Sequence, residues 1–353
     1  MKRILSIDGG GIRGIIPGMV LLAMEQRLQE KTGNSEAHLS EYFDFFAGTS
    51  TGGILTAILL CPHPDDATKP RFYAKEALDI YLKHGPAIFS TTRWRRFLSQ
   101  FGLLSELYDE KILESVLDKY FGDVKLSELL KPAIMTAYNI ELRKNHIFRQ
   151  QKAISHGDTR DFYIKDVCRA TAAAPTFFAV AEIFSLAGTR FPLLDGGVFA
   201  HNPALAGLLE MLKTYDTFKI DDVHILSLGT GAAKNVYNYE DFKKKWAISI
   251  GPALVDIMTS SSSESNDYFL RQLFRSVQKS RQYTRIEPAN VSSISPAMDD
   301  ATPGNIQKLV SLADNVISDY DEVLTKILDD LIVDRQKKKD NSMWNFLRRD
   351  NSK

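Results

Sequence analysis

The chain has 353 residues, of which 44% are hydrophobic and 25% are charged, and its formal net charge at pH 7 is zero. This length is enough for one large domain or two ordinary ones, and the composition is that of a globular protein. The balanced charge argues against a protein that binds a nucleic-acid polymer through a broad basic surface.

The first sixty residues predict alternating strands and helices. Arg3–Ile7 indicates a short buried strand, and a glycine turn at Asp8–Gly11 leads to a predicted helix over Ile15–Glu30. A second strand, Tyr42–Ala47, is followed by a predicted helix over Gly53–Leu60. This β-α-β-α opening predicts a parallel sheet in an α/β fold.

The strand–glycine–helix pattern continues to about residue 231, without a repeat or an interdomain linker. The later predicted elements are a polar loop at Cys61–Pro70, an amphipathic helix at Tyr108–Phe121, strands at Ala133–Tyr138, Ile147–Arg149, Phe191–Leu194 and Val223–Leu228, and helices at Ile164–Ala174, Pro203–Lys213, Trp246–Gln278 (interrupted by the serines Ser260–Ser263) and Asn305–Leu331. We therefore predict one catalytic domain over residues 1–333, with helical insertions and C-terminal helices, and a basic polar tail over residues 334–353.

The cysteines and the apolar runs predict the cellular setting. Cys61 and Cys168 match no metal-binding spacing and are too few for a disulfide framework, so we expect no metal and no cofactor, and a reduced, cytoplasmic location. Asp8 and three glycines interrupt the apolar run that a secretory signal needs. No run reaches the roughly 18–20 apolar residues that cross a bilayer, so any membrane contact is expected to be peripheral.

Ser50 lies at the predicted turn between the second strand and its helix. Gly48 and Gly52 flank it in the pattern G-x-S-x-G, which at such a turn is called a nucleophile elbow. The turn holds the serine in a strained backbone conformation, above the N-terminus of the next helix, where developing negative charge is favoured. A glycine- and serine-rich turn without chemistry is the alternative interpretation. The flanking strand and helix favour Ser50 as a nucleophile.

Three glycines after the first strand are candidates for binding an oxyanion. Consecutive glycines, here Gly9, Gly10 and Gly11, can turn their backbone N–H groups toward one anionic point, and Arg13 adds positive charge beside them. Acyl hydrolysis requires such donors in addition to a nucleophile and a base.

The same loop also fits a dinucleotide-binding fingerprint. Gly9, Gly11 and Gly14 satisfy G-x-G-x-x-G between a strand and a helix. That fingerprint expects an acidic residue about 20 positions later, at the end of a second strand, whereas Glu30 lies in a predicted helix. A dinucleotide-binding module without catalysis is therefore the less favoured alternative.

Asp195 is the candidate base. It ends a predicted strand and is followed by Gly196 and Gly197, which places it at the carboxyl edge of the sheet beside Ser50. A plain turn aspartate is the alternative, because Asp-Gly is a common turn pair. His201 follows closely, and the order serine, aspartate, histidine mimics that of α/β-hydrolases, so a conventional triad stays open at this point.

Taken together, five segments resemble the patatin-like phospholipases over about residues 1–330. Three match the family motifs D-G-G-G-x-R-G, G-x-S-x-G and D-G-[GA] in the family's order, and two match accessory segments. The five segments are Asp8–Gly14, Gly48–Gly53, Asp195–Gly197, Arg169–Phe178 and Ser227–Gly231. The resemblance implies a three-layer α/β sandwich with a central, mostly parallel sheet flanked by helices.

The resemblance also implies a serine–aspartate dyad instead of a triad. Ser50 would be the nucleophile and Asp195 the base, and His201 would have no catalytic role. The implied oxyanion hole comprises Gly9, Gly10, Gly11 and Arg13. The implied reaction releases a fatty acid from a membrane glycerophospholipid through an acyl-enzyme, by phospholipase A chemistry. Constitutive acyl hydrolysis with a triad, and acyl transfer to an acceptor other than water, are the enzymatic alternatives.

The resemblance implies partners as well. The expected substrate is a phospholipid at the inner membrane surface. The candidate membrane-facing segments are the aromatic and basic stretch Phe89–Phe97 and the segment Arg335–Arg349, which contains Trp344. For Arg335–Arg349, a solvated, disordered tail is the favoured interpretation. Some compact bacterial members of the family are effectors of anti-phage defence that a cyclic oligonucleotide activates. This implies a cyclic dinucleotide activator within the hydrolase or at a homodimer interface, although no motif marks that site.

Overall fold

The computed structural model of the protein describes residues 1–90, 108–215, 218–231, 238–243 and 247–350. Within these residues, eight strands form one mixed sheet and two short strands form a separate hairpin. The sheet comprises β1 (Lys2–Ile7), β2 (Phe45–Thr49), β5 (Ala133–Asn139), β6 (Lys144–Arg149), β7 (Ala181–Phe184), β8 (Arg190–Asp195), β9 (Val223–Leu228) and β10 (Tyr283–Ile286). The hairpin comprises β3 (Pro62–His63) and β4 (Asp66–Pro70).

The order of strands is β10-β9-β1-β2-β5-β8-β7, with β6 also paired to β5. The five strands from β10 to β5 are parallel neighbours. The pairs β5–β6, β5–β8 and β7–β8 are antiparallel. The predicted α/β fold with a central, mostly parallel sheet is therefore confirmed.

One edge of β5 brings two strand ends together. Since β6 pairs with β5 along 134–139, β2 and β8 must share the other edge of β5. There Thr49 at the end of β2 lies opposite Thr136, and Asp195 at the end of β8 lies opposite the next residue, Ala137. The strands approach from opposite directions, so their last residues meet end to end.

Helices cover both faces of the sheet. In chain order they are α1 (Ile15–Thr32), α2 (Thr51–Leu60), α3 (Ala74–Asp79), α4 (Gly85–Ile88), α5 (Glu110–Phe121), α6 (Gln150–His156), α7 (Ile164–Thr171), α8 (Gly197–Ala200), α9 (Ala204–Thr214), α10 (Tyr239–Lys243), α11 (Ala247–Ser276), α12 (Pro303–Asp319) and α13 (Asp321–Asp350), with a π-helical segment at Ile80–His84. No helix within the described ranges is both long and apolar enough to cross a bilayer.

The alternation of side chains in β1 shows the three layers. Leu5 and Ile7 enter the larger core, which α1, α2, α7 and α12 cover, whereas Ile4 enters the smaller core under α9 and α11. A strand buried on both faces needs apolar residues at every position, and β1 has them from Ile4 to Ile7 except at Ser6. The site therefore stands on a sheet that is buried on both sides.

Several predicted elements differ from the structure. Helix α11 runs without a break through Ser260–Ser263, and the hydroxyl of Ser260 donates to the carbonyl oxygen of Asp256 one turn earlier. The predicted helix over Asn305–Leu331 is two helices that part at Tyr320. The predicted loop at Cys61–Pro70 contains the β3–β4 hairpin, and β7 and β10 were not predicted.

The predicted basic tail is also different, since α13 continues through Asp350 where disorder was expected. Ion pairs hold the start of this segment to the body of the protein: Asp334 to Arg3, Arg335 to Glu41, and Lys338 to Asp44. Of the two predicted membrane-facing stretches, residues 91–97 and the side chain of Trp344 lie outside the part of the chain that the structure describes.

Candidate active site

Ser50 occupies a strained turn between β2 and α2. Its φ of 54° and ψ of −130° lie outside the regions that a residue with a side chain ordinarily adopts, as expected for a nucleophile elbow. A methyl group at Gly48 would lie 2.6 Å from Cα of Gly53, and one at Gly52 would overlap with the carbonyl oxygen of Ile7. Both flanking glycines are thus required for the close passage of the chain.

A network of threonines fixes the elbow. The backbone N–H of Ser50 donates to Oγ1 of Thr171 (2.9 Å), and this hydroxyl donates to the carbonyl oxygen of Thr136 (2.6 Å). The hydroxyl of Thr49 bonds to that of Thr136 and donates to the carbonyl oxygen of Ala200. The backbone N–H of Ser50 and the side chain of the preceding Thr49 are therefore both bonded to buried groups.

Asp195 is buried next to Ser50. Its Oδ1 accepts a hydrogen bond from the N–H of Gly197 (2.7 Å), and its carboxyl group lies beside the hydroxyl of Ser50. Burial raises the pKa of Asp195 to about 7, although the Ser50 hydroxyl and the Gly197 N–H both favour the carboxylate. A methyl group at Gly196 would overlap with the side chain of Thr136, so only glycine lets Asp195 follow β5 this closely.

The glycine loop after β1 lies over Ser50. The N–H of Gly9 donates to the carbonyl oxygen of His201 (3.2 Å), so it is not available to an oxyanion. The N–H groups of Gly10 and Gly11 have no acceptor among the described residues, and both glycines line the same cavity as Ser50. Thr51, the first residue of α2, also lines the cavity, and its N–H is a further candidate donor. The sequence analysis missed this donor, although the residue after the serine of a nucleophile elbow commonly supplies one.

Arg13 does not line this cavity. Its guanidinium donates to the carbonyl oxygens of Gly231 (3.2 Å) and Pro296, and so connects two loops behind the glycine turn. The predicted position of Arg13 within the oxyanion hole therefore needs correction: this buried side chain braces the loop that carries Gly10 and Gly11.

Asp8, the first residue of the glycine motif, forms a buried ion pair with Arg285. The guanidinium of Arg285 contacts both carboxylate oxygens, at 2.8 and 2.6 Å, and also bonds to Ser227 and Glu287. Burial raises the pKa of Asp8, and the charge of Arg285 opposes this shift. Arg285 lies on β10, the strand that was not predicted, so no sequence signal had identified it.

His201 lies beside the dyad without joining it. No hydrogen bond connects its imidazole to Ser50 or Asp195; the nearest recorded bonds are those of its backbone, to Ser262 and Gly9. Burial and the charges of Arg285 and Arg13 lower the pKa of His201 to about 4, so the ring is neutral at pH 7. The arrangement does not form the hydrogen-bonded chain of a Ser-His-Asp triad.

An apolar cleft leads away from Ser50 and Asp195. Gly10, Gly11, Thr51 and His201 line it near Ser50, and its remaining walls are largely aliphatic and aromatic. These walls include Ile54, Ile80, Tyr81, Ile88, Phe89, Leu113, Phe177 and Phe178. A cavity of this character fits the hydrocarbon part of a substrate next to a polar reacting group.

Comparison with known proteins identifies the family. The sequence profile of the patatin-like phospholipases matches residues 5–208. The chain is 30% identical to patatin-T5 from Solanum tuberosum, over 96% of this chain and 91% of that protein. It is 33% identical to patatin-like protein 1 from Arabidopsis thaliana, over 90% of this chain and 82% of that protein.

The name of a third relative describes that protein as probably inactive. The chain is 31% identical to probable inactive patatin-3-Kuras 1 from Solanum tuberosum, over 90% of this chain and 86% of that protein. The extent of the matches and the family profile agree with the motifs, the sheet and the elbow described above. The chain belongs to the patatin-like phospholipase family of lipid acyl hydrolases.

Proposed function

We propose that the protein is a phospholipase A-type enzyme that uses a dyad of Ser50 and Asp195. The observation that carries this proposal is the buried Asp195 carboxyl group beside the Ser50 side chain, at the head of an apolar cleft. With a pKa of about 7, Asp195 is a stronger base than an exposed aspartate, whose pKa is about 4.

The reaction begins with attack of Ser50 Oγ on the ester carbonyl carbon of a glycerophospholipid. Asp195 takes the hydroxyl proton, and the negative charge that develops on the carbonyl oxygen is stabilised by the N–H groups of Gly10, Gly11 and Thr51. The C–O bond to the glycerol backbone breaks, and the alcohol that leaves receives the proton from Asp195. Water then hydrolyses the acyl-enzyme and releases a fatty acid.

The shape of the cleft supports a lipid substrate. Its walls beyond Ser50 offer aliphatic and aromatic side chains to an acyl chain, such as Ile54, Ile88 and Leu113. Each methylene group that leaves water for such a wall contributes about 0.8 kcal/mol, so a long acyl chain gains more than a short one.

Site-directed variants test the dyad. Ser50→Ala and Asp195→Asn should each reduce fatty-acid release from phosphatidylglycerol vesicles by about 10⁴-fold, as removal of a nucleophile or its base does elsewhere. His201→Ala separates the dyad from a triad. If the dyad is correct, a fluorophosphonate should still label Ser50 in this variant at a rate within about tenfold of wild type, whereas loss of a triad histidine costs several orders of magnitude. Full activity of Asp195→Asn would contradict the proposal.

Contact with the membrane surface is proposed at one face of α11. Leu254, Ile257 and Met258 are 45%, 38% and 46% exposed, and the adjacent residues Val255 and Thr259 line the cleft. An exposed apolar helix face at the mouth of a lipid-binding cleft suits insertion at the acyl boundary of a bilayer.

Vesicle binding tests this contact. The triple change Leu254→Gln, Ile257→Gln and Met258→Gln should reduce cosedimentation with vesicles but leave hydrolysis of a soluble p-nitrophenyl ester unchanged. The matched control is Ile154→Gln with Leu209→Gln, at 55% and 56% exposed side chains that do not line the cleft. If the control loses as much binding as the triple variant, apolar exposure anywhere is sufficient and α11 is not the contact.

Three finer expectations stay predictions of the resemblance: activation by a cyclic dinucleotide in antiviral defence, a homodimer, and acyl transfer as an alternative outcome. Among the described residues, no contact bears on any of these three expectations. Assays of fatty-acid release with and without cyclic dinucleotides, together with product analysis by mass spectrometry, test activation and transfer. The dinucleotide-binding alternative has lost its support, because β2 ends at Thr49, directly before Ser50, and Glu30 lies within α1.

A further inference from the structure

A second, polar space adjoins the apolar cleft on the far side of His201. This chamber shares His201, Thr259 and Met298 with the cleft, and its other walls are polar or charged. They include Asp8, Arg13, Thr230, Asp256, Ser260, Ser263, Arg285 and Glu287. The side chain of Glu287 is 39% exposed whereas that of Asp8 is 1% exposed, so the chamber extends from solvent to the buried base of the glycine loop.

The position of the His201 ring connects this chamber with the dyad. A methyl group at Gly9 would lie 2.9 Å from Cβ of Ser50 and 3.4 Å from Cε1 of His201. A methyl group at Gly197 would lie 3.1 Å from Oδ1 of Asp195 and 3.5 Å from Nδ1 of His201. The ring thus lies beside both members of the dyad, next to the two glycines that it shares with them.

The imidazole has free hydrogen-bonding capacity there. Neither ring nitrogen bonds to another described residue, and neither is sealed within protein. Since the ring is neutral at pH 7, it can donate one hydrogen bond and accept another. A polar chamber whose narrow interior admits about one water molecule, with several polar partners, meets the requirements for an ordered water.

From this geometry we propose that His201 positions the water that hydrolyses the acyl-enzyme, and that this water enters through the polar chamber. The inference rests on the proposed dyad. During acyl-enzyme hydrolysis the acyl chain fills the apolar cleft, so water needs a separate polar path to the ester. His201 is a positioning residue for this second half-reaction and has no part in the first.

The proposed step balances as follows. The water oxygen forms a bond to the carbonyl carbon of the Ser50 ester, and one water proton passes to the Asp195 carboxylate. The bond from that carbon to Ser50 Oγ then breaks, and Oγ takes the proton from Asp195. The products are the free fatty acid and the regenerated serine. His201 holds the water by hydrogen bonds and keeps its own proton.

Pre-steady-state kinetics with a p-nitrophenyl ester test the proposal. In His201→Leu we expect a burst of about one equivalent of p-nitrophenol at near the wild-type rate, followed by turnover slowed by up to about 100-fold, because misplacing a reactant costs about that much. Intact-protein mass spectrometry should then show the acyl group accumulating on the enzyme. His201→Gln, which retains an amide that can hold water, should restore part of the turnover.

The controls separate the possible outcomes. His156→Leu replaces an exposed histidine remote from the cleft and should match wild type. If Ser50→Ala or Asp195→Asn hydrolyses the ester as fast as wild type, the proposed dyad is wrong. If the dyad is active but His201→Leu slows the burst and the turnover equally, or neither, the role of His201 in water positioning is wrong. Should His201→Leu fail to fold, His201→Gln gives the same comparison, with turnover slowed more than the burst.

Discussion

Arg285 and Asp8, which are 277 residues apart, form a two-point ion pair beneath the glycine loop. Both side chains are buried, so each charge depends on the other for its solvation. This pair fixes the position of the first residue of the loop, whose next residues supply the proposed oxyanion donors.

Removal of one partner should therefore be costly. Arg285→Met leaves the Asp8 carboxylate buried without its cation, and we expect a loss of about 3–5 kcal/mol in the free energy of unfolding together with loss of activity. The double variant Asp8→Asn with Arg285→Met should recover part of that stability. Urea denaturation of the three proteins measures this, and equal stability of the single and double variants would contradict the pairing.

Asp195 should set the acid limb of the pH profile. The dyad requires the carboxylate, and burial raises the pKa of Asp195 to about 7, so kcat/KM should fall as the pH drops below about 7. An aspartate of ordinary pKa would keep full activity down to about pH 5. Initial rates on a soluble ester between pH 5 and 9 decide between the two.

The same shift predicts a trade between stability and activity. Because the folded-state pKa of Asp195 is above the unfolded value, the protonated form favours folding, and this contribution is lost as the pH rises through about 7. Asp195→Asn keeps the acceptor for the Gly197 N–H without the charge. Its Tm should equal that of wild type below about pH 4, the unfolded-state pKa of aspartate, and exceed it at pH 8. A difference in Tm that does not change with pH would contradict the raised pKa.

Gly11 provides a matched test of the glycine loop. Gly11 and Gly33 have similar positive φ values, 58° and 63°, so alanine is strained at both by roughly 1 kcal/mol. At Gly11 the added methyl group would also overlap with the carbonyl oxygen of Met298, whereas at Gly33 nothing lies within 4 Å. Gly11→Ala should lose activity and Gly33→Ala should keep it at a similar or smaller cost in Tm.

Thr171 should influence the nucleophile through its backbone. Thr171→Val leaves the N–H of Ser50 without its acceptor, which costs about 1–3 kcal/mol in stability for a buried donor. We expect kcat to fall more than KM changes, because the elbow that aims the hydroxyl is loosened. Thr171→Ser retains the hydroxyl and should restore both kcat and Tm. If serine fails to restore kcat, the methyl group and not the hydroxyl supports the elbow.

The sequence was sufficient for the elements whose signal is local. Glycines around Ser50 and after β1 mark close backbone passage, and the structure places them against Gly53, Ile7 and Met298. The apolar runs that form β1, β2 and β9 are buried on both faces of the sheet. A continuous apolar run predicts such a strand without any information about the strands beside it.

The features that were missed depend on distant partners. Strand β10 is only four residues long and contains Arg285. An arginine is ordinarily predicted to be exposed, and only the ion pair with Asp8 explains why this one is buried. The predicted role of Arg13 as an oxyanion donor followed from its place in the motif, but its side chain turns away to carbonyls of two remote loops. Asp195 was placed beside Ser50 by analogy with parallel sheets, yet β8 reaches it as an antiparallel strand.

Because β2 and β8 meet end to end on β5, Ser50 and Asp195 can come together only after the ribosome has synthesised more than half of the chain. A ribosome that has produced the elbow has made no active enzyme, because the proposed base arrives 145 positions later and the cation under the glycine loop later still. A nascent or truncated chain that ends before Asp195 lacks the proposed base and should hydrolyse no ester.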